Sequence, residues 1–170
     1  MLIKINSFKK IDRIKLMDIY SEGNIENIDY FYSDMSDKNE ALKRIEDNFL
    51  NYIKENFFKN IRNKYMILEV DGIWVSALRL YYVEDGLYYI EALETHPEYR
   101  KKGYGAKLLL QVLDLLKETG GFKICDCIRK ENIASLATHK KCGFEIVSEK
   151  GYDYLQKESD ERSYGMEYTY

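Results

Sequence analysis

The residues best placed to do chemistry sit together in one short stretch. Arg100-Lys101-Lys102-Gly103-Tyr104-Gly105-Ala106 sets three cations and two glycines immediately before a leucine-rich run. The first backbone N–H groups of a helix have no partner inside it, and the helix dipole favours negative charge at that end. Glycine, lacking a Cβ, lets main chain come close to a bound group. The stretch therefore has the makings of a phosphate or pyrophosphate cradle. Two familiar nucleotide loops are excluded. No Gly-Lys-Ser/Thr follows Gly105, so it is not a Walker A loop. Gly103 and Gly105 match the first two glycines of a dinucleotide fingerprint, but Leu108 stands where the third belongs.

Metal chemistry finds no support. Cys125 and Cys127 share a strand face, with Cys142 and two histidines elsewhere, and Cys-x-Cys is not the usual zinc spacing. Buried thiols acting as small apolar side chains explain them better. The pairs Lys9-Lys10 and Lys140-Lys141 read as solvated faces.

The elements that would carry the cradle follow from periodicity and turn signals. Leu2 to Ile5 reads as a short strand, and Ile11 to Tyr20 has near-helical apolar spacing that Gly23-Asn24 should end. Asn24 to Met35, with Tyr30-Phe31-Tyr32 inside it, is expected to be a loop or broken helix overhanging a site. A helix capped by Ser36 or Asp37 then carries Leu42, Ile45, Phe49, Tyr52 and Ile53 on one face. Asp71-Gly72 and Asp85-Gly86 mark two hairpin turns, which predicts a meander over Lys64–Val70, Ile73–Val83 and Leu87–Thr95. Gly103 to Lys117 reads as a helix closed by Gly120-Gly121, and Phe122–Ile128 as a strand parallel to its predecessor across that helix. A short helix over Glu131–Lys141, a strand from Phe144, a polar stretch over Gln156–Arg162 and a last strand over Tyr164–Tyr170 complete the chain.

The whole-chain properties narrow the class. A length of 170 residues suits one domain with a real core, and 45% hydrophobic with 32% charged residues fits a soluble globular protein. A net charge of −3 and a pI of about 5.6 argue against a broad nucleic-acid surface. Neither a membrane span nor a signal peptide is apparent, and three cysteines fit a reduced, cytoplasmic protein. Sixteen tyrosines are compatible with a partly wet ligand groove, or with a composition biased toward Ile, Lys, Asn and Tyr.

Two motifs in register make the reading specific. Leu93-Glu94-Thr95-His96-Pro97-Glu98-Tyr99, followed by Arg-x-x-Gly-x-Gly-Ala, resembles the coenzyme A pyrophosphate loop of the GNAT N-acetyltransferase superfamily and the strand before it. Downstream, Asn132 to Phe144 is similar to that family's Asn-x-x-Ala-x-x-x-Tyr-x-x-x-Gly-Phe, with His139 at the tyrosine position. The resemblance implies an α/β fold, single-domain over residues 1–170: a mixed, mostly antiparallel central sheet of six to seven strands flanked by about four helices. It also implies acetyl-CoA as cofactor, with the main chain of Leu93 and Thr95 holding the pantetheine. The stretch Arg100, Lys101, Lys102, Gly103, Tyr104, Gly105 and Ala106 would hold the pyrophosphate, and Asn132 the pantetheine arm. Asn132 reads equally as an N-cap.

The implied reaction moves the acetyl group to a primary amine of a small molecule by direct attack, through a tetrahedral intermediate stabilised by a backbone amide near Leu93 to Thr95. No metal and no covalent enzyme intermediate are needed. An alkylamine of pKa ~10 is mostly protonated at pH 7, so a base helps. Glu91 is the candidate, on the expectation that Tyr89, Glu91 and Leu93 alternate onto one strand face while Glu94 points to the other. His139 would act as acid or base toward the departing thiolate or the amine. The amine would enter between Asn24–Met35 and the strands bearing Tyr81, Tyr82, Tyr88 and Tyr89. The expected partners are that amine and a possible second copy in a homodimer, with no nucleic acid and no membrane. A protein- or peptide-acetylating enzyme of the same fold, and a non-catalytic acyl-CoA-binding module, are the alternatives.

Overall fold

The computed structural model describes residues 1–170. Strand β1 (Leu2–Ile5) pairs antiparallel with β2 (Lys64–Val70). Between them run helices α1 (Arg13–Phe31) and α2 (Lys38–Glu55). Asp12 caps α1 by accepting from the Lys15 amide, and Asp37 caps α2 by accepting from Asn39 and Glu40. The meander continues through β3 (Ile73–Glu84) to β4 (Leu87–Thr95). Asp71 and Gly72 both take positive φ, as a type I′ hairpin turn requires. Helix α3 (Tyr104–Lys117) crosses over to β5 (Lys123–Arg129), and α4 (Ile133–Lys141) leads to β6 (Glu145–Ser148). A small hairpin, β7 (Gly151–Asp153) and β8 (Glu158–Asp160), precedes β9 (Ser163–Thr169).

The central sheet has seven strands in the order β1-β2-β3-β4-β5-β9-β6. Only β4 and β5 are parallel. Each face carries its own core. Helices α3 and α4 cover one, around Leu78, Ile90, Leu108, Leu109, Val112 and Phe144. Helices α1 and α2 cover the other, around Leu16, Ile19, Ile53, Phe57, Tyr65 and Tyr89.

Three expectations from sequence are corrected. Helix α1 does not stop at Gly23-Asn24 but runs unbroken to Phe31, so 24–35 is no overhanging loop. A mid-helix glycine costs about 1 kcal/mol; here packing outweighs it, because Ile28 buries against Ala41 and Ile45 of α2, and Asn24 is buried beside Met17. The polar stretch after β6 holds the β7–β8 hairpin, whose Tyr154 and Leu155 pack on the α1/α2 core. Finally, the strands bearing Tyr81, Tyr82, Tyr88 and Tyr89 do not offer all four rings to an amine entering beside residues 24–35, because the rings divide between the two faces. Tyr81 and Tyr89 join the α1/α2 core, whereas Tyr82 stacks edge-on with Tyr88, which packs on the opposite core.

Candidate active site

The site begins where the sheet comes apart. Strands β4 and β5 pair at Leu87↔Lys123, Tyr88↔Ile124 and Tyr89↔Cys125 and then diverge. Beyond Tyr89, β4 is paired on its β3 side alone. There a bulge sets in: Ala77 faces Glu94 and Arg79 faces Glu91, so Ala92 and Leu93 oppose the single residue Leu78. Ala92 sits at φ 54°, a conformation that costs a non-glycine residue about 1–3 kcal/mol. Tyr20 of α1 holds it by donating to the Ala92 carbonyl at 2.8 Å, and Tyr65 donates in turn to the Tyr20 hydroxyl at 2.9 Å.

The bulge changes which side chains face where. Glu91 and Ala92 both lie on the α1/α2 face, and Leu93 turns to the α3 side, where it packs on the other core. The expected alternation of Tyr89, Glu91 and Leu93 onto one face is therefore corrected at Leu93. Glu94 returns to the α1 side, where its carboxylate meets Arg100. Past the bulge, the His96 amide donates to the Val75 carbonyl at 3.0 Å. Antiparallel alternation then turns the main-chain groups of Thr95 toward the open β5 side. The Thr95 carbonyl accepts from Arg100 Nε at 3.2 Å, and its amide donates to Glu94 Oε1 at 3.1 Å.

Beyond β4, a turn of 3-10 helix (Pro97–Tyr99) leads into the basic loop. Lys101 at φ 60° and Gly103 at φ 78° bend the chain so that its amides point outward. The amides of Lys101, Lys102, Gly103, Tyr104, Gly105 and Ala106 find no acceptor in the protein; the first that does is Lys107, which donates to the Gly103 carbonyl. Consecutive unpaired donors at a helix N-terminus fit a pyrophosphate. The side chains divide differently. Lys101 lines the groove beneath the loop, whereas Lys102 folds back, donating to the Glu98 carbonyl at 3.0 Å and lying over the Tyr99 ring.

The groove has a volume of about 740 Å³. Leu93, Glu94 and Thr95 form one side and the loop residues Arg100, Lys101 and Gly103 to Ala106 the end. Asn132, Ser135, Thr138 and Lys141 of α4 form the other side. Asn132 Oδ1 accepts from the Ser135 amide at 3.0 Å, so its capping role is already filled by its oxygen. Sequence reasoning missed Lys141, taken as solvated, and also missed Glu22, Gly23 and Glu26 of α1, which complete the wall. The four-residue spacing of Glu22 and Glu26 was the available signal, hidden by ending α1 at Gly23.

Glu91 lies outside this groove, on the α1/α2 side of the splay. Its Oε2 pairs with Arg79 Nη2 at 3.0 Å and accepts from the Tyr81 hydroxyl at 2.9 Å. The Arg79 side chain is 9% exposed and that of Glu91 35%. Burial and the neighbouring Glu91 charge push the Tyr81 phenol far above its ordinary value, so it stays protonated as a donor.

His139 is placed differently from the sequence expectation. It is fully buried, with Nε2 2.9 Å from Asp126 Oδ2 on β5 and Nδ1 2.9 Å from the Ser135 carbonyl. Nε2 meets the carboxylate off its N–H direction, so the contact is an ion pair more than a directed hydrogen bond. Burial pulls the imidazole pKa down, but Asp126 and the Ser135 carbonyl outweigh it and the value is raised. With no exposed edge, the ring does not reach the groove. It ties α4 to β5.

Residues 25–144 match the acetyltransferase (GNAT) family. No curated protein sequence matches the chain. Among solved structures, the fold is similar to PaiA N-acetyltransferase from Thermoplasma acidophilum in complex with coenzyme A, at 18% identity and a TM-score of 0.64, covering 100% of this chain and 99% of that one. It is similar also to the ribosomal-protein-S18-alanine N-acetyltransferase from Escherichia coli, at 17% identity and a TM-score of 0.60, covering 99% and 94%. A third is aminoglycoside 6′-acetyltransferase type Ii, at 14% identity and a TM-score of 0.64, covering 99% and 96%.

Proposed function

The chain belongs to the GNAT acetyltransferase family, an acetyl-CoA-dependent acyltransferase family, and from that premise we propose that it acetylates a primary amine of a small molecule by direct attack. The observation that carries this reading is the splay of β4 from β5, ending in the run of unpaired amides from Lys101 to Ala106. In this reading those amides, with Arg100 and Lys101, hold the pyrophosphate. The open edge at Leu93 and Thr95 holds the pantetheine, and Asn132 contacts its arm. Acetyl-CoA supplies the activated acyl group; the protein orients it and excludes water.

Glu91 is the proposed base, taking the amine proton directly or through water by way of its Oε1, the oxygen that neither Arg79 nor Tyr81 engages. A backbone amide between Leu93 and Thr95 is the proposed donor to the developing oxyanion. Direct attack is favoured over a thioester on the enzyme because burial raises the pKa of Cys125, Cys127 and Cys142, and none of the three lines the groove. His139, buried and engaged, has no part in this chemistry.

Acetylation of a peptide amine is a second reading, and one observation favours it. Tyr30 is 80% and Phe31 63% exposed at the end of α1, and neither folds over the groove. Solved relatives of this fold are named for both a ribosomal-protein alanine and an aminoglycoside.

The cofactor half is tested by calorimetric titration of acetyl-CoA. We expect saturable 1:1 binding by the wild type and none by Gly103→Glu, which puts a carboxylate among the cradle amides and a Cβ on a left-handed backbone. Equal binding by both proteins would refute the cradle.

A further inference from the structure

Arg100 makes three contacts, and one comes from an element outside the cradle. Its Nε donates to the Thr95 carbonyl at 3.2 Å, and its Nη2 pairs with Glu94 on β4 at 3.2 Å. Its Nη1 pairs with Glu22 at the middle of α1, where Gly23 and Glu26 also line the groove. One guanidinium thus bridges α1 and β4 across the mouth of the groove. In doing so it occupies the strand edge assigned above to pantetheine.

We propose that Glu22 competes with the cofactor's pyrophosphate for Arg100, and thereby sets cofactor affinity and couples cofactor binding to the opening of the strand edge. The inference rests on the reading that this groove binds acetyl-CoA.

The charges around the groove explain why the competition is a balanced one. Arg100, Lys101 and Lys141 face Glu22, Glu26 and Glu94, so cation and carboxylate match in the protein alone. A pyrophosphate adds negative charge and must draw the Arg100 guanidinium from its carboxylates. All three members of the bridge are partly exposed: 38% for Arg100, 49% for Glu22 and 36% for Glu94. Such pairs are weak and breakable, each shifting an equilibrium about two- to five-fold. The pyrophosphate offers Arg100 a stronger, bidentate partner. When Arg100 turns to it, the Thr95 carbonyl and the Glu94 carboxylate lose their shared donor in the same movement. The Thr95 carbonyl is then free to pair with the pantetheine, so the cofactor opens its own channel.

The test is calorimetric titration of coenzyme A into the wild type, Glu22→Gln, Glu26→Gln, Arg100→Ala and the double variant Glu22→Gln/Arg100→Ala at low ionic strength. Glu22→Gln should bind coenzyme A about two- to five-fold more tightly than the wild type, a gain that damage to the fold would not produce. Glu26→Gln, one turn further along the same wall, reports the general field of an α1 carboxylate and should gain less. In the Arg100→Ala background, Glu22→Gln should add no more than Glu26→Gln adds to the wild type. Unchanged or weaker binding by Glu22→Gln, an equal gain from Glu26→Gln, or an undiminished Glu22→Gln gain without Arg100 would each overturn the proposal while leaving the cofactor reading intact. No coenzyme A binding by any of the proteins would overturn both.

Discussion

Glu91 and His139 are both titratable and both lie near the splay, yet their surroundings fit them for different work. Glu91 keeps one carboxylate oxygen free while the other is fixed by Arg79 and Tyr81. Replacing it with glutamine keeps an oxygen for Tyr81 but removes the charge. We expect kcat/KM near neutral pH to fall about 10²–10⁴-fold and its pH profile to change shape. A thermal melt should accompany the kinetics, since Arg79 is left without its counter-charge. An unchanged profile would take Glu91 out of the mechanism. For His139 the prediction concerns stability. Its pKa in the folded protein lies above the ordinary 6.5, so folding favours the protonated ring. That contribution is full below pH 6.5 and is lost as pH rises through the folded-state value. The stability gap between the wild type and His139→Gln should therefore be wider at pH 6 than at pH 8.5, with turnover little changed. Lost turnover at unchanged stability would restore His139 as a proton donor.

The elements that matter most are the bulged β4, the unbroken α1 and the cradle entering α3. Tyr20 on α1 holds the bulge through the Ala92 carbonyl. Tyr20→Phe leaves that carbonyl unpaired and the Tyr65 hydroxyl without its acceptor, so it should cost about 1–3 kcal/mol in denaturant unfolding. A cost near zero would mean the bulge is fixed by β3 alone. The glycine turn into α3 was legible from sequence, because glycine placement, basic flanks and a helix start are local signals that the fold leaves intact. The meander was legible for the same reason, through Asp71-Gly72 and Asp85-Gly86. The course of α1 was not: Gly23-Asn24 is a local stop signal overridden by Ile28 packing on Ala41 and Ile45. Nor was the bulge, since nothing in Glu91-Ala92-Leu93 announces an alanine at φ 54°. It depends on a tyrosine 72 residues away in sequence. Missing it turned Leu93 and Glu94 to the wrong faces.

At the scale of the molecule, two cores on opposite faces of one sheet hold the splay open. The α3/α4 core and the α1/α2 core grip β4 and β5 from both sides, so the gap between the strands is set by packing. The position of His139 in that frame was also beyond the sequence, where the motif register gives its location on α4 but not its burial against Asp126. No helix is long and apolar enough to cross a membrane. In the proposed reading, a thioester held in the splay would present its acyl carbon toward the Glu91 side, where the amine would approach. The most direct test of this account is release of free coenzyme A thiol on mixing the protein and acetyl-CoA with a panel of primary amines and amine-bearing peptides. The account predicts thiol release that depends on one class of small amine and is lost in Gly103→Glu. Tight acetyl-CoA binding with no amine-dependent thiol release would contradict it.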